Sequence, residues 1–257
     1  MVEGIDIFRE RFAGFADSLT LIGGTACDEW FADQGLDFRS TKDLDIVLIA
    51  EVLGKDCVRA LLEFVEEGAY GSRERAGEAP VLYRFAKPAT AGFPAMLEFF
   101  SRKPDGLDLG EDQQIVPVRA GAEVHSLSAI LLDDAYYAML VSNREERDGI
   151  SIATAPTLIA LKARAWIDLT ARKEAGEPVD GRDIRKHRTD VFRLAATLPG
   201  DEAVDLDGTI RADLRSFLAA MPVDSPEWAG IQAALKPAFG KLAPSTLIDS
   251  LNAYFQL

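Results

Sequence analysis

The sequence predicts an α+β protein: mixed α and β structure over residues 1–154, then a helical domain over 155–257. Three observations predict it. Short apolar runs alternate with helix-period segments over the first ~150 residues, the signature of mixed α and β structure. Past Ala155-Pro156 the strand-like runs stop and only 3.6-residue periodicity remains. Beyond that point Pro156, Pro178, Pro222, Pro226 and Pro244 fall at helix starts or gaps, where a residue without an N–H is tolerated.

The elements follow in order. Ile5, Phe8, Phe12 and Phe15 lie at steps of three and four, one face of an amphipathic helix. Leu19 to Ile22 is a strand-like run ending in Gly23-Gly24, a tight turn. Thr25 is placed to cap a helix through Trp30 and Phe31 that closes at Gly35. Asp43 to Ala50 carries the continuous run Ile46-Val47-Leu48-Ile49 of a buried strand. Val58, Leu61, Leu62 and Val65 space as a helix. Strand-like runs follow at Val81–Phe85, Ala95–Phe100, Ile115–Val118 and from Val124 to Leu132. Helices are expected at 156–174, 181–197, 208–220, 226–239 and 244–255.

Composition removes several classes. The chain has 257 residues and is 48% hydrophobic, enough apolar material for a real core and too much for a disordered chain. No apolar run approaches the ~20 residues of a membrane span, and Met1 to Arg9 has no basic region leading into an apolar core, so a secretory signal is not expected. Two cysteines, Cys27 and Cys57, support neither a disulfide framework nor a cysteine zinc site. The expectation is a cytoplasmic protein without a membrane partner. A net charge of −14 argues against one that coats nucleic acid non-specifically.

The most informative stretch is LIGGTACDEWFADQGLDFRSTKDLDIVLI, Leu21 to Ile49. Asp43 and Asp45 are two apart on a strand and share one face. Two carboxylates side by side call for a cation between them, and Mg²⁺ prefers oxygen ligands and tolerates phosphate alongside. Gly23-Gly24 lets backbone N–H groups approach a phosphate chain, and the helix N-terminus that follows favours an anion. Thr25 offers a hydroxyl donor. A phosphate cradle beside a metal-binding pair is what nucleotidyl or phosphoryl transfer needs.

Gly-Gly-Thr-Ala followed by Thr-Lys-Asp-Leu-Asp-Ile-Val resembles the polymerase-β-like nucleotidyltransferase superfamily. The later segments Pro-Thr-Leu-Ile-Ala-Leu-Lys-Ala-Arg-Ala-Trp and Lys-His-Arg-Thr-Asp-Val-Phe-Arg-Leu resemble its AbiEii/AbiGii family, whose members include type IV toxin–antitoxin and abortive-infection toxins. The likeness spans roughly residues 17–195. It implies a nucleotidyltransferase domain with a short mixed sheet and a helical domain that closes its cleft. The implied activity is Mg²⁺-dependent transfer of a nucleotide from an NTP, in some members onto the acceptor end of tRNA, and a cognate antitoxin as partner. By this resemblance Gly23, Gly24 and Thr25 contact the triphosphate, and Asp43 and Asp45 hold the metal.

The resemblance also calls for a third acid on a neighbouring strand, and the candidate is Glu98 in Met96-Leu97-Glu98-Phe99-Phe100. A charge in so apolar a strand is costly unless paired or metal-bound, so it is expected as general base or metal ligand, against a solvated edge-strand role. Lys162, on an apolar helix stripe, either snorkels or points into a lined cleft; the family's lysine here contacts the phosphates. Asp190 is read two ways: as a helix salt-bridge partner of Lys186 and Arg193, or as the residue that orients Lys162 or the acceptor. His187 belongs to an apolar stripe. Residues 162–193 carry nine Lys or Arg against six Asp or Glu, a modestly basic strip beside the expected cleft. The alternatives are transfer onto a small molecule, such as an antibiotic-like acceptor, or onto a protein, and a non-catalytic relative that binds a nucleotide or a partner.

Overall fold

The computed structural model of the chain describes residues 2–72, 84–102, 115–120, 123–200 and 202–257. It is α+β, and it divides into two compact units, Met1–Thr154 and Ala155–Leu257.

The first unit opens with α1 (Ile5–Phe12), continued by a 3-10 turn, Ala13–Phe15. Helix α1 is short but buries Phe8 and Phe12, whose rings meet Phe64 at centroid distances of 5.7 and 5.5 Å. Strand β1 (Leu19–Ile22) runs into α2 (Gly23–Ala32); β2 (Asp43–Leu48) and α3 (Lys55–Glu67) follow. Then come β3 (Gly71–Ser72), β4 (Arg84–Ala86), β5 (Met96–Ser101), β6 (Ile115–Ala120) and β7 (Glu123–Leu131). Helix α4 (Asp134–Ser142) and the hairpin β8 (Arg144–Arg147) and β9 (Ile150–Ala153) complete the unit.

Among the described residues these strands form one mixed sheet of nine, ordered β3-β4-β5-β2-β1-β9-β8, with β7 pairing to β5 and β6 to β7. At its centre β1 is antiparallel to β2, and β2 is parallel to β5. All four residues of β1 are buried, as expected of a strand covered on both faces. In β2, Leu44 and Ile46 are fully buried on one face, while Asp43 and Asp45 keep partial access to solvent on the other.

The mixed sheet is therefore longer than the short one expected. The added strands extend the sheet on both sides of the β5-β2-β1 centre. The hairpin β8–β9 and helix α4 were missed. Strand β8 reads Arg-Glu-Glu-Arg and carries no apolar signal. The available cue was Asp148-Gly149, whose φ angles of 47° and 80° are those of a tight hairpin turn. The Val81–Tyr83 part of one expected strand lies outside the described residues.

The second unit contains α5 (Ala155–Glu174), α6 (Gly181–Ala195), α7 (Gly208–Ala219), α8 (Trp228–Phe239) and α9 (Pro244–Phe255). Its helices begin where local chemistry allows. The Asp180 carboxylate accepts the Arg182 N–H at 2.8 Å to cap α6, and Asp207 accepts the Thr209 N–H at 2.7 Å to cap α7. Pro244 occupies the first turn of α9, where its missing N–H costs nothing. Phe192 anchors the core, with ring centroids 5.6 Å from Phe217 and 4.5 Å from Trp228. Among the described residues no helix is long and apolar enough to cross a membrane.

Candidate active site

Three segments of the first unit meet at one end of β1 and β2. Ile22, the last residue of β1, pairs with Asp45, so the turn into α2 lies against the start of β2. Gly23 begins α2 with φ of 68°, a conformation that disfavours a side chain. A Cβ at Gly23 would collide with the Asp45 carboxylate, and one at Gly24 would lie 2.5 Å from Thr41 Oγ1. The Gly-Gly turn is thus a requirement of close approach as well as of backbone conformation. It brings the N-terminus of α2, with its N–H groups free of intrahelical acceptors, to the edge of the carboxylate pair.

Thr25 departs from its expected role. Helix α2 starts three residues earlier than the cap reading placed it, with Ile22 rather than Thr25 at the N-cap, and Thr25 is fully buried in its first turn. Its hydroxyl donates to the Asp43 carbonyl at 2.7 Å. A hydroxyl has one proton to give, and the Thr25 hydroxyl gives it to tie α2 to β2.

Glu98 is in place but not in the expected company. Parallel pairing sets Asp43 opposite Met96 and Asp45 opposite Glu98, so the two aspartates and Glu98 share one sheet face. Strand β5 lies between β2 and β4, so Glu98 is no edge-strand residue; it is 8% exposed. Antiparallel pairing puts Arg84 opposite Glu98 on its other side. The Arg84 Nε donates to Glu98 Oε1 at 2.6 Å, and Arg84 Nη2 reaches the same oxygen. The three carboxylates form a row, but they are not drawn into one ligand shell. Among the described residues no group of three or more His, Cys, Asp or Glu side chains is gathered for a metal ion.

The donor set therefore fits Mg²⁺ of a particular kind. Asp43 and Asp45 are hard oxygen ligands side by side, and an octahedral ion would complete its shell with phosphate oxygens and water, the usual arrangement when Mg²⁺ arrives with a nucleotide. Glu98 stands next to the pair with its Oε1 held by Arg84.

The second unit brings Lys162 and Asp190 together. Lys162 on α5 and Asp190 on α6 form an ion pair, Nζ to Oδ2 3.1 Å, with side chains 4% and 0% exposed. Arg193, one turn along α6, stands 3.5 Å from Asp190 Oδ1. Lys162 does not snorkel, and Asp190 turns inward across the α5–α6 packing. The surrounding strip is less available than its composition suggests. Arg164 pairs with Asp213, Arg172 with Glu177, Arg182 with Asp180 and Arg188 with Glu227, so much of its positive charge is compensated within the unit.

Cys27 and Cys57 are buried packing residues, and burial pushes the Cys57 thiol up to about 12. Sequence reasoning missed two residues of the site. Thr41 continues the alternating face of Asp43 and Asp45, a signal that was legible. Arg84 had none, because only the register of β4 on β5 brings it to Glu98.

The fold and this site define an α+β protein with a glycine turn and a helix N-terminus laid against a strand-borne carboxylate pair. No protein-family model matches the chain, and no curated protein matches it.

Proposed function

We propose that the chain is a Mg²⁺-dependent nucleotidyltransferase of the polymerase-β-like kind. The observation that carries the reading is the fit of Gly23 against Asp45, which lays a glycine turn and the helix N-terminus that follows it directly against the Asp43–Asp45 carboxylate pair. The connectivity supports it as well. Strand, Gly-Gly turn and helix lead to an antiparallel strand bearing Asp43 and Asp45, then to a parallel strand bearing Glu98.

In this reading the N–H groups of Gly23 and Gly24 hold the anionic triphosphate, and Asp43 and Asp45 hold the ion that accompanies it. Bound there, Mg²⁺ supplies charge neutralisation of the phosphates. An oxygen of the acceptor attacks the α-phosphorus, the bond from that phosphorus to the bridging oxygen breaks, and pyrophosphate leaves. Glu98, next along the row, takes the acceptor's proton. Lys162 and Asp190 enter through the resemblance, Lys162 as a phosphate-contacting cation and Asp190 as the carboxylate that orients it.

The acceptor we propose is the end of an RNA, tRNA foremost, with a toxin-like role and an antitoxin protein as partner, on the resemblance to the AbiEii/AbiGii family. The test is incubation with Mg²⁺ and each α-labelled NTP, offering total RNA, total protein and small metabolites in turn, with Asp45→Asn as control. Asp45-dependent label on RNA is the expected result. Label on a metabolite or a protein keeps the enzyme and replaces the acceptor. No Asp45-dependent label in any pool rejects the transferase.

A further inference from the structure

We propose that Arg84 is a positioning residue of the carboxylate row: a built-in counter-cation that holds Glu98 away from Asp45 until a divalent ion arrives. The inference rests on the nucleotidyltransferase reading.

Register alone places the participants. On three adjacent strands, Arg84 of β4, Glu98 of β5 and Asp45 of β2 lie opposite one another, with Glu98 in the middle. Arg84 approaches from the side away from Asp45, and two of its nitrogens converge on the single oxygen Oε1. Among the described residues no donor reaches Oε2. Glu98 is therefore turned toward β4 by one oxygen and keeps the other in reserve.

The burial of the pair is unequal. The Glu98 side chain is 10% exposed and that of Arg84 is 37%. A buried carboxylate without a counter-charge is costly, whereas a guanidinium on the periphery is readily hydrated when released. Glu98 thus needs a cation at all times, and Arg84, the more exposed of the two, is the partner that can shift. A divalent ion at Asp43 and Asp45 brings positive charge to the other side of Glu98. The ion and Arg84 then compete for the same carboxylate, and the row is charge-compensated both before and after the ion binds. Arg84 touches no reacting atom in this scheme; it acts through Glu98.

The consequence is opposite to that of a simple structural tie. Removing the Arg84 charge leaves the row more negative, so a divalent ion alone binds more tightly, by roughly ten-fold for one unit charge lost within about a Debye length of a doubly charged ion. Arg84→Lys keeps the charge and is expected to stay within about two-fold of the parent.

The measurement is Mn²⁺ binding to the full chain without nucleotide, followed by the loss of free-ion paramagnetic signal, for the parent protein, Arg84→Gln, Arg84→Lys and Asp45→Asn. Arg84→Met retains the aliphatic stem and replaces Arg84→Gln if that variant does not fold. Tighter Mn²⁺ binding in the neutral variants, with Arg84→Lys near the parent and Asp45→Asn weak, supports the inference. Parent binding that depends on Asp45 but is unchanged or weakened by the neutral variants overturns the role of Arg84 and leaves the metal pair intact. No Asp45-dependent binding in any protein overturns both. Tighter binding in Arg84→Gln, with no nucleotide transfer by the parent onto any acceptor, keeps the counter-cation and rejects the transferase.

Discussion

Removing Asp190 should damage the helical unit far more than removing Lys162, and removing both should cost less than either sum suggests. Lys162 is 4% exposed and Asp190 0%, at 3.1 Å. Losing one member of such a pair leaves a buried charge without compensation, at about 3–5 kcal/mol. The two losses are not equivalent. After Lys162→Met, Asp190 still has Arg193 at 3.5 Å, and the expected loss is about 1–3 kcal/mol. After Asp190→Leu, Arg193 can turn to water, being 18% exposed, whereas Lys162 is only 4% exposed and loses its Asp190 partner. That variant takes the full ~3–5 kcal/mol. The double variant replaces the pair by apolar side chains of similar reach. Its cost should fall at least about 2 kcal/mol short of the summed single costs, because neither charge is left stranded. The assay is urea unfolding of the full chain followed by tryptophan fluorescence, since Trp166 and Trp228 both lie in the second unit. An Asp190→Leu protein within about 0.5 kcal/mol of the parent, or strictly additive single losses, would refute the reasoning.

Three further outcomes are expected. Gly23→Ala should lose about 1–3 kcal/mol and displace Asp45, since its φ of 68° and the adjacent carboxylate both reject a Cβ; unfolding midpoints and Mn²⁺ affinity check it together, and an unchanged midpoint counts against the close fit. Burial would raise the Glu51 carboxyl, but hydrogen bonds from the Tyr137 hydroxyl, its own backbone and Arg102 outweigh that and hold it below its usual value. A lowered folded pKa contributes stability above the unfolded carboxyl range near ~4.3 that is lost as pH falls through the folded value. Glu51 is half exposed, so screening keeps the contribution under ~1 kcal/mol, and Glu51→Gln should flatten the fall of Tm between about pH 5 and 3 by a small, measurable amount. Finally, Cys27 and Cys57 should resist an aqueous thiol reagent in the native protein and react on unfolding; fast native labelling would contradict their burial.

Much of the candidate site was readable because its signals are local. The Gly-Gly turn, the alternation of Asp43 with buried Leu44 and Asp45 with buried Ile46, and the helix after the turn depend on steric and period rules that act over a few residues. The helices of the second unit lie within one or two residues of their expected ends for the same reason: proline, Asp180 and Asp207 mark them chemically. What escaped was non-local or weakly patterned. The polar strand β8 gains its place by pairing with the apolar strand β9. Thr25 was the expected donor to a ligand because its spacing suits one; its proton goes to Asp43 because β2 runs within reach.

The amino-acid sequence by itself determined the α+β class, the strand–glycine–helix unit and the face on which Asp43 and Asp45 stand, since backbone stereochemistry and hydrophobic period dictate these within a short segment. Only the tertiary structure decided which charges meet. Glu98 faces Arg84 because two strands adopt one register, and Lys162 faces Asp190 because two helices pack along one stripe. Ion-pair partners are chosen by distance in space and by burial, which raises the cost of any unpaired charge, and neither is written in the spacing of residues along the chain.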